Sequence, residues 1–424
     1  MAQGAIIGQQ PEIPQTYDIG DIKVSTKSNL GEDWVLCQGQ KFDENEYPLV
    51  KEEIYDTWNI FETNRDGIAD YYGVNGYNPH CWLIDGDYLY CAYNLKDDSI
   101  RDTNTYIKRT KIPSDLSKFE NVYKLPTGSF NKMQFKKVGE YFCLLGEEDS
   151  HYYGCILVSK DGKNWKLHNN GGRGFPVNVC YINGKYYLAY YDDYNYRNFL
   201  YCVNDFESTP FTSEAEIRNV QFKNTQQFDI GVVNDYLIVS TGKELYSAKN
   251  PTQSSSFTKF TTNFTDDDVI RLFQPFVQMP NGALYYFTNK KIYKVRENSL
   301  TLESDKISVY EDINANNGYP NITPYSIVPF NENIIIYART DENISNSFYY
   351  YYLYNIKDKT IKYFHNYGST LAGGSGYNFT GVFANERIGT CCNYTYNHYP
   401  HFYYFPITFP KPLSPNTNTF IKVK

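Results

Sequence analysis

An all-β chain, folded as a β-propeller, is what this 424-residue sequence predicts, from three observations. A short phrase recurs seven times, a second marker keeps the same period, and the stretches between them carry strand signals only. The phrase is an apolar approach, a turn of Gly, Asn or a charged residue, and a strand rich in Tyr, Leu, Ile and Val. Its copies begin at Leu83, Val138, Ile182, Val233, Pro280, Phe330 and Ala384. Anchors at Gly86, Gly139, Gly184, Asp235, Gly282, Glu332 and Glu386 are spaced by 53, 45, 51, 47, 50 and 54 residues, the length of a four-stranded blade. Seven copies point to seven blades, with six as the alternative because the first and last repeats are the weakest.

Residues 1–75 stand outside the repeat and are expected to form a small mixed α/β module, leaving 76–424 for the propeller. The module reads as a strand over Asp21–Ser25, a turn at Gly31–Asp33, a strand carrying Trp34 and Leu36 inward, and a helix from Tyr47 to Trp58 with Pro48 in its first turn. The clearest blade places strands at Phe130–Val138, Tyr141–Gly146, Gly154–Ser159 and Trp165–His168. The second marker is the hairpin between its third and fourth strands. Echoes at Asp115, Asp161, Asp205, Asn250 and Glu297 are spaced by 46, 44, 45 and 47 residues. The last blade spans Asn378–Ala384, Ile388–Tyr394 and His401–Ile407. Either Phe420–Lys424 or Asp21–Ser25 is expected to close the ring, so that no edge is left unpaired.

Composition narrows the function. With 40 basic and 48 acidic residues the net charge is −8, which argues against nucleic acid or an anionic membrane as main partner. No stretch is long and apolar enough to insert in a bilayer, and the first residues lack a secretory pattern. Nine cysteines, several inside strands (Cys91, Cys143, Cys155, Cys180, Cys202), read as buried free thiols made in a reducing compartment. The 44 tyrosines have two readings. Most suit pleated strands, and some suit an aromatic ligand surface.

Sequence motifs for catalysis are missing: no His-Glu-x-x-His, no Gly-x-Ser-x-Gly, no phosphate-binding loop and no Cys-x-x-Cys. Ser159-Lys-Asp161-Gly162-Lys-Asn-Trp165 resembles a shortened Asp-box, a hairpin motif of sialidases and of many non-enzymatic propellers. That resemblance implies a structural role, with Asp and Ser bonding the turn and Trp packing between sheets. The Phe-Arg-Ile-Pro motif of sialidases is absent, and Arg173-Gly-Phe-Pro176 does not replace it. Acidic runs such as Asp192-Asp193 and Asp266-Asp267-Asp268 leave a glycosidase open as the alternative, though most such runs are solvated turns. Cys391, Cys392, His398 and His401 lack zinc-site spacing, so neither metal nor cofactor is expected.

In a propeller, the loops joining second to third strands share one rim with the blade-to-blade crossings. The sequence predicts long loops there at Leu95–Tyr106, Gly146–Tyr153, Asp192–Asn198, Arg339–Phe348 and Asn393–His401, and short ones in blades four and five. This rim is the expected binding face. Its candidate ligand residues are Tyr152, Tyr153, Asp192, Asp193, Tyr194, Tyr196, Arg197, Tyr396 and His398, rings that stack on sugars or protein anchors beside hydrogen-bonding groups.

Gly20-Asp-Ile, then Trp34-Val-Leu36-Cys37-Gln-Gly39, then Tyr47-Pro48-Leu49 is similar to the collar-like opening of tailed-bacteriophage tail-fibre and related virion proteins. The resemblance covers about 30 residues. It implies a virion component assembled in the bacterial cytoplasm, with Trp34, Leu36, Tyr47 and Pro48 docking it to other virion proteins. The resulting expectation is a non-enzymatic protein of tail, baseplate or fibre whose propeller rim binds a host-surface glycan or protein, or another subunit. A head or neck decoration protein without host binding is the remaining alternative. A homo-oligomer is compatible with this placement.

Overall fold

The computed structural model of the chain describes residues 22–25, 27–37, 59–62, 81–86, 88–96, 103–111, 120–126, 128–148, 151–218, 222, 227–262, 264, 274–305, 322–330, 333–340, 349–367, 382–383, 388–391, 401–404 and 418–424. Every regular element among them is a strand, numbered along the chain from β1 (Ile22–Ser25) to β30 (Asn418–Lys422). The chain divides into two compact units, residues 1–59 with 404–424, and residues 60–403.

In the first unit β30 lies between β1 and β2 (Trp34–Leu36), antiparallel to both. The turn before β2 closes as expected, with the Gly31 amide donating to Asn29 Oδ1 at 2.7 Å and the Trp34 amide to the Gly31 carbonyl at 3.2 Å. Phe420, Ile421, Val423 and Cys37 are buried, while Trp34 and Leu36 are half-buried. The helix expected over Tyr47–Trp58 lies outside the described residues.

The second unit holds seven successive antiparallel sheets among the described residues. The first strands in the chain after β2 are β3 (Asn59–Glu62), then sheet I of β4 (Cys81–Asp85), β5 (Tyr88–Lys96), β6 (Thr103–Lys111) and β7 (Glu120–Lys124). Sheet II follows with β8 (Phe130–Val138), β9 (Tyr141–Glu148), β10 (Tyr153–Ser159) and β11 (Lys166–Arg173). Sheet III has β12 (Phe175–Ile182), β13 (Lys185–Asp192) and β14 (Arg197–Val203). Its fourth place is taken by Ala215–Ile217, whose backbone bonds to Cys202 and Leu200. Sheet IV has β15 (Phe228–Val233), β16 (Tyr236–Thr241), β17 (Glu244–Lys249) and β18 (Thr258–Lys259). Sheet V has β19 (Phe276–Gln278), β20 (Leu284–Phe287), β21 (Ile292–Val295) and β22 (Leu300–Ser304). Sheet VI has β23 (Ile322–Phe330), β24 (Asn333–Thr340), β25 (Tyr349–Asn355) and β26 (Thr360–Tyr367). Sheet VII has β27 (Val382–Phe383), β28 (Ile388–Cys391) and β29 (His401–Tyr404), with β3 as its fourth strand.

First strands stand beside first strands: β4 by β8, β8 by β12, and so on through β15, β19, β23 and β27, which returns to β4. Successive meanders ordered in this way form a β-propeller. Neither expected closing strand occupies sheet VII. β1 and β30 pair with each other instead, because β30 placed between β1 and β2 satisfies both of its edges, and Asn59–Glu62 supplies the fourth strand.

Both faces of the middle strands β9, β13, β16 and β20 are covered, so these strands read as continuous apolar runs and the core is a set of layers between sheets. Along β13, Tyr186, Leu188 and Tyr190 pack on sheet II with Cys143, Leu145 and Ile156. Tyr187, Ala189 and Tyr191 pack on sheet IV with Phe228, Ile230 and Val239. The period of two sorts one strand's side chains between two cores. Tyrosine adds a polar tip to this packing. Tyr187 Oη donates to the Pro251 carbonyl of sheet IV at 2.7 Å, Tyr190 Oη to the Gly172 carbonyl of sheet II at 3.1 Å, and Tyr286 Oη to the Gly242 carbonyl.

The repeat's own markers make the next set of ties. Asn183, in the first hairpin of sheet III, donates to Asp235 and Asn250 of sheet IV, both at 2.9 Å. Asn234 of sheet IV donates to Glu297 of sheet V at 3.0 Å. In sheet II the Asp161 carboxylate accepts from the Lys163 and Asn164 amides, each at 2.8 Å, and from Asn164 Nδ2 at 2.7 Å. Those donors hold its carboxyl well below the usual range. Trp165 at the end of this hairpin packs against Phe135 and Phe142 in the core between sheets I and II.

A polar chain crosses four inner strands. Lys136 Nζ of β8 donates to Asn178 Oδ1 of β12, and Asn178 Nδ2 donates to Asp229 Oδ1 of β15 at 2.7 Å. Asp229 also accepts from the amides of Ile230 at 2.8 Å and of Phe276, which opens β19, at 3.1 Å. Asp229 is fully buried, and burial pushes its carboxyl up to about 6 against the opposing pull of Lys136 and the three donors.

Two predictions follow from this packing. Tyr187→Phe leaves the buried Pro251 carbonyl with only the weak Cys202 thiol as donor and should lower unfolding free energy by about 1–2 kcal/mol in urea titration. For Asp229 the unfolded value is about 4, so the folded state holds an extra proton between about pH 4 and pH 6 and this group's contribution to stability grows as pH falls through that window. Replacing it with Asn removes the slope. The stability of Asp229→Asn relative to wild type should rise by about 2 kcal/mol from about pH 4 to about pH 7.

Candidate functional site

The end of sheets II and III that carries the crossing from β11 to β12 gathers most of the described candidate residues. In sheet III the ladder runs to its tip, pairing Tyr191 with Asn198 and Asp192 with Arg197, so only Asp193–Tyr196 forms the loop. In sheet II the β9–β10 connection is likewise residues 149–152. In sheet I, Leu95, Lys96 and Thr103–Tyr106, expected as loop, are paired strand. Sheet V has four residues in the same place and sheet IV two. Loop length therefore does not single out sheets II and III, because the expected loops there are partly strand. Of the other two predicted long loops, Arg339 and Thr340 are paired strand, and residues 341–348, Tyr396 and His398 lie outside the described residues, as do Tyr47 and Pro48.

Backbone shape and exposure do single them out. Tyr152 has φ of 59° and Tyr196 of 55°, left-handed values that a bulky side chain rarely adopts. Each is the last residue before the third strand of its sheet, so the two hold equivalent positions on neighbouring sheets. Elsewhere among the described residues, left-handed non-glycine positions carry Asn183, Asn234, Asn250 and Lys359, and three of these are the side chain that tolerates the conformation best. The strain is not spent on burial. Tyr152 is 46% exposed and Tyr196 64%, with Tyr194 at 68% beside it.

Two glycines bring the sheets close at this end. The Gly174 amide donates to the Tyr152 carbonyl at 3.1 Å, and a Cβ on Gly174 would fall 2.1 Å from the Tyr191 carbonyl and 2.9 Å from Asp192 Cα. Gly154, two residues past Tyr152, lies under the Tyr190 ring, where a Cβ would come within 2.3 Å. Tyr152 and the Asp192 turn are thereby held within a few residues' width of each other.

The charges divide into spent and unspent. Asp192 Oδ1 accepts from the Tyr194 and Asn195 amides at 2.9 Å, and Oδ2 from Asn195 Nδ2 at 2.8 Å, the same turn-holding pattern as Asp161. Its carboxylate shapes the turn. Asp193 in the same turn has a buried Oδ1 with no hydrogen-bond partner. His151 stacks on Tyr153 at 5.1 Å and sits 3.8 Å from the Glu148 carboxylate. Arg173 lies over the Tyr152 ring at 5.3 Å. Arg173 and Arg197 are exposed, and no ion pair engages either one among the described residues.

Of the residues that sequence reasoning placed on one rim, Asp192, Asp193, Tyr194, Tyr196 and Arg197 share the β13–β14 turn, Tyr152 is tied to the crossing at Gly174, and Tyr153 packs on the core between sheets I and II beside His151. Sequence reasoning missed Arg173 and Gly174. Their only signal was the Gly-Gly-Arg-Gly run between two strands, whose φ of 70° at Gly171 and 131° at Gly174 marks a tight crossing. At the opposite end of the sheets a cleft of about 490 Å³ is lined by Lys185, Asp205, Thr212, Glu214 and Gln253. Asp205 and Glu214 there are engaged by the Glu207 amide and the Ser213 hydroxyl. Among the described residues no group of three or more His, Cys, Asp or Glu side chains is placed to hold a metal.

Gly174→Ala should lower stability by about 2–4 kcal/mol, since a methyl group would meet backbone that cannot turn aside. Gly171→Ala, where nothing lies within 4 Å of an added Cβ, should cost only about 1–2 kcal/mol for the left-handed backbone. Urea midpoints of the two variants compare these losses directly.

No family model matches this chain, and no curated protein does. Solved structures with a similar strand arrangement include the β-propeller domain of the Trilobed protease from Pyrococcus furiosus, at 9% identity and TM-score 0.44, covering 80% of this chain and 98% of that one. The α-L-arabinofuranosidase Arb93A from Fusarium graminearum, with an iminosugar inhibitor, matches at 11% identity and TM-score 0.41, covering 67% and 93%. The exo-β-1,3-galactanase from Phanerochaete chrysosporium matches at 10% identity and TM-score 0.33, covering 72% and 67%. At this level of likeness none of their activities transfers to this chain.

Proposed function

We propose that the chain is a non-enzymatic virion protein of a tailed bacteriophage, a closed seven-bladed propeller that attaches to the host surface through the rim of sheets II and III. The observation that carries this reading is the pair of exposed tyrosines held in left-handed backbone at equivalent loop ends. Strain kept at the surface, where it contributes nothing to a core, is a feature of ligand-contacting loops. The seven sheets and the return of β27 to β4 support the blade number. Asp192, the acid most exposed to a catalytic reading, has its oxygens occupied by its own turn, which favours binding over hydrolysis.

Virion placement rests on the Gly20–Leu49 resemblance. In it, Trp34, Leu36, Tyr47 and Pro48 dock the chain to other virion proteins, after assembly in the host cytoplasm. No nucleic acid, membrane insertion or cofactor takes part, and the number of copies follows the symmetry of the particle.

Antibody to the chain should label tails, baseplates or fibres of the phage that encodes it in electron micrographs. Purified protein should adsorb to host cells, and Tyr152→Ala with Tyr196→Ala should weaken adsorption at least about tenfold while leaving the melting temperature unchanged, since both rings are exposed. Adsorption unaffected by the double substitution would remove the rim from the reading. Sugar released from host envelope material by the wild-type protein would replace it with the glycosidase alternative.

A further inference from the structure

We infer that the rim of sheets II and III takes a linear anionic oligosaccharide, laid across Tyr152 and Tyr196 with its acidic groups on Arg173 and Arg197. The inference rests on the reading of this rim as a binding face and names the class of ligand. Its first ground is the repeated platform. Tyr152 and Tyr196 occupy the same place on two adjacent sheets, and packed sheets lie about 10 Å apart, so a ligand touching both must be longer than a single sugar ring. Aromatic faces suit the apolar faces of sugar rings, and a tyrosine fixed by its backbone loses little freedom on binding.

The second ground is charge. The whole chain carries −8, yet this rim exposes two guanidinium groups with which no carboxylate forms an ion pair among the described residues. Arg173 flanks the Tyr152 ring, and Arg197 opens β14 directly after Tyr196, so one arginine stands in each of the two sheets at this rim. None of the nearest acids, Asp192, Asp193 and Glu148, forms an ion pair with either arginine among the described residues. Asp192 is committed to its turn, and Glu148 lies beside His151. A guanidinium fork matches carboxylate geometry with two parallel hydrogen bonds, which a neutral sugar hydroxyl cannot equal.

The test uses full-length protein and immobilised linear oligomers of two to six sugars. Oligogalacturonate, alginate and hyaluronate fragments are each compared with the same fragment after reduction of its carboxyl groups, and with neutral dextran and xylan oligomers. At least one uronate series should bind, more tightly with four sugars than with two, and lose about tenfold or more on carboxyl reduction. Arg173→Gln and Arg197→Gln should each weaken that binding, and added salt should weaken it for wild type but less for the double variant. Tyr152→Phe should retain it, because the ring is kept.

Equal binding of acidic and reduced oligomers, or arginine variants that bind like wild type, would overturn the inference. So would adsorption to host cells that persists when every oligomer fails to bind, leaving the rim a contact for protein. If wild-type protein adsorbs to no host cell and binds no oligomer, the underlying reading of the rim falls with it.

Discussion

The larger unit depends on sheets packing face against face, with middle strands such as β9, β13, β16 and β20 buried on both sides. Such a strand cannot satisfy itself by alternation of apolar and polar residues, so it needs side chains that are apolar at the sheet and able to end in a hydrogen bond at the next one. Tyrosine meets both needs. Tyr187 and Tyr190 are adjacent in phase but opposite in direction, one reaching Pro251 in sheet IV and the other Gly172 in sheet II. Each hydroxyl lands on a carbonyl in a turn or crossing, where the sheet ladder provides no donor. The tyrosine content of the chain is to that extent a structural requirement of stacked sheets.

The inner strands meet a different constraint. Beside large apolar side chains such as Phe135, Phe175 and Phe228, their polar groups are held in a chain from Lys136 through Asn178 to Asp229 and the Phe276 amide. Asn178 is central because its amide has both an acceptor for lysine and donors for the carboxylate and the Ile230 carbonyl. Four consecutive sheets are tied through one carboxyl group that burial has moved toward neutrality. Such ties fix which strand faces which, and that specificity is gained at a cost in stability above the carboxyl's own titration range.

Much of this was legible in the sequence, and the reason is physical. The recurring Asn and acidic residues at Asn183, Asp235, Asn250 and Glu297 are periodic because they bond from one sheet to the next, so a count of intervals finds the contact that makes the intervals necessary. The first three strands of sheet II were predicted to within two residues, helped by glycine at Gly139 and the Asp161 turn, whereas the fourth runs past the expected His168 to Arg173. Closure of sheet VII was not legible. Asn59–Glu62 is only four residues long, carries no copy of the phrase and is separated by hundreds of residues from β29. Period alone cannot report a pairing that occurs once. The polar chain was hidden for a related reason, since Asn178 and Asp229 each stand singly in apolar runs and acquire meaning only when β12 and β15 are side by side.

The rim shows how one residue type can serve two ends without conflict. At Tyr190 a glycine beneath the ring, Gly154, makes room for tight burial, and the hydroxyl is consumed by the crossing. Two residues before Gly154, Tyr152 is turned outward by a left-handed backbone that Asn or Gly would adopt more easily. That conformation survives because the strands on either side are locked: β10 pairs on both edges, and the Tyr152 carbonyl is held by the Gly174 amide. A rigid ladder can impose on its loop ends a shape that the loop would not choose, and the energy for doing so comes from packing elsewhere in the sheet. Outward tyrosines at two such ends are therefore a property of the scaffold's stiffness as much as of the loops.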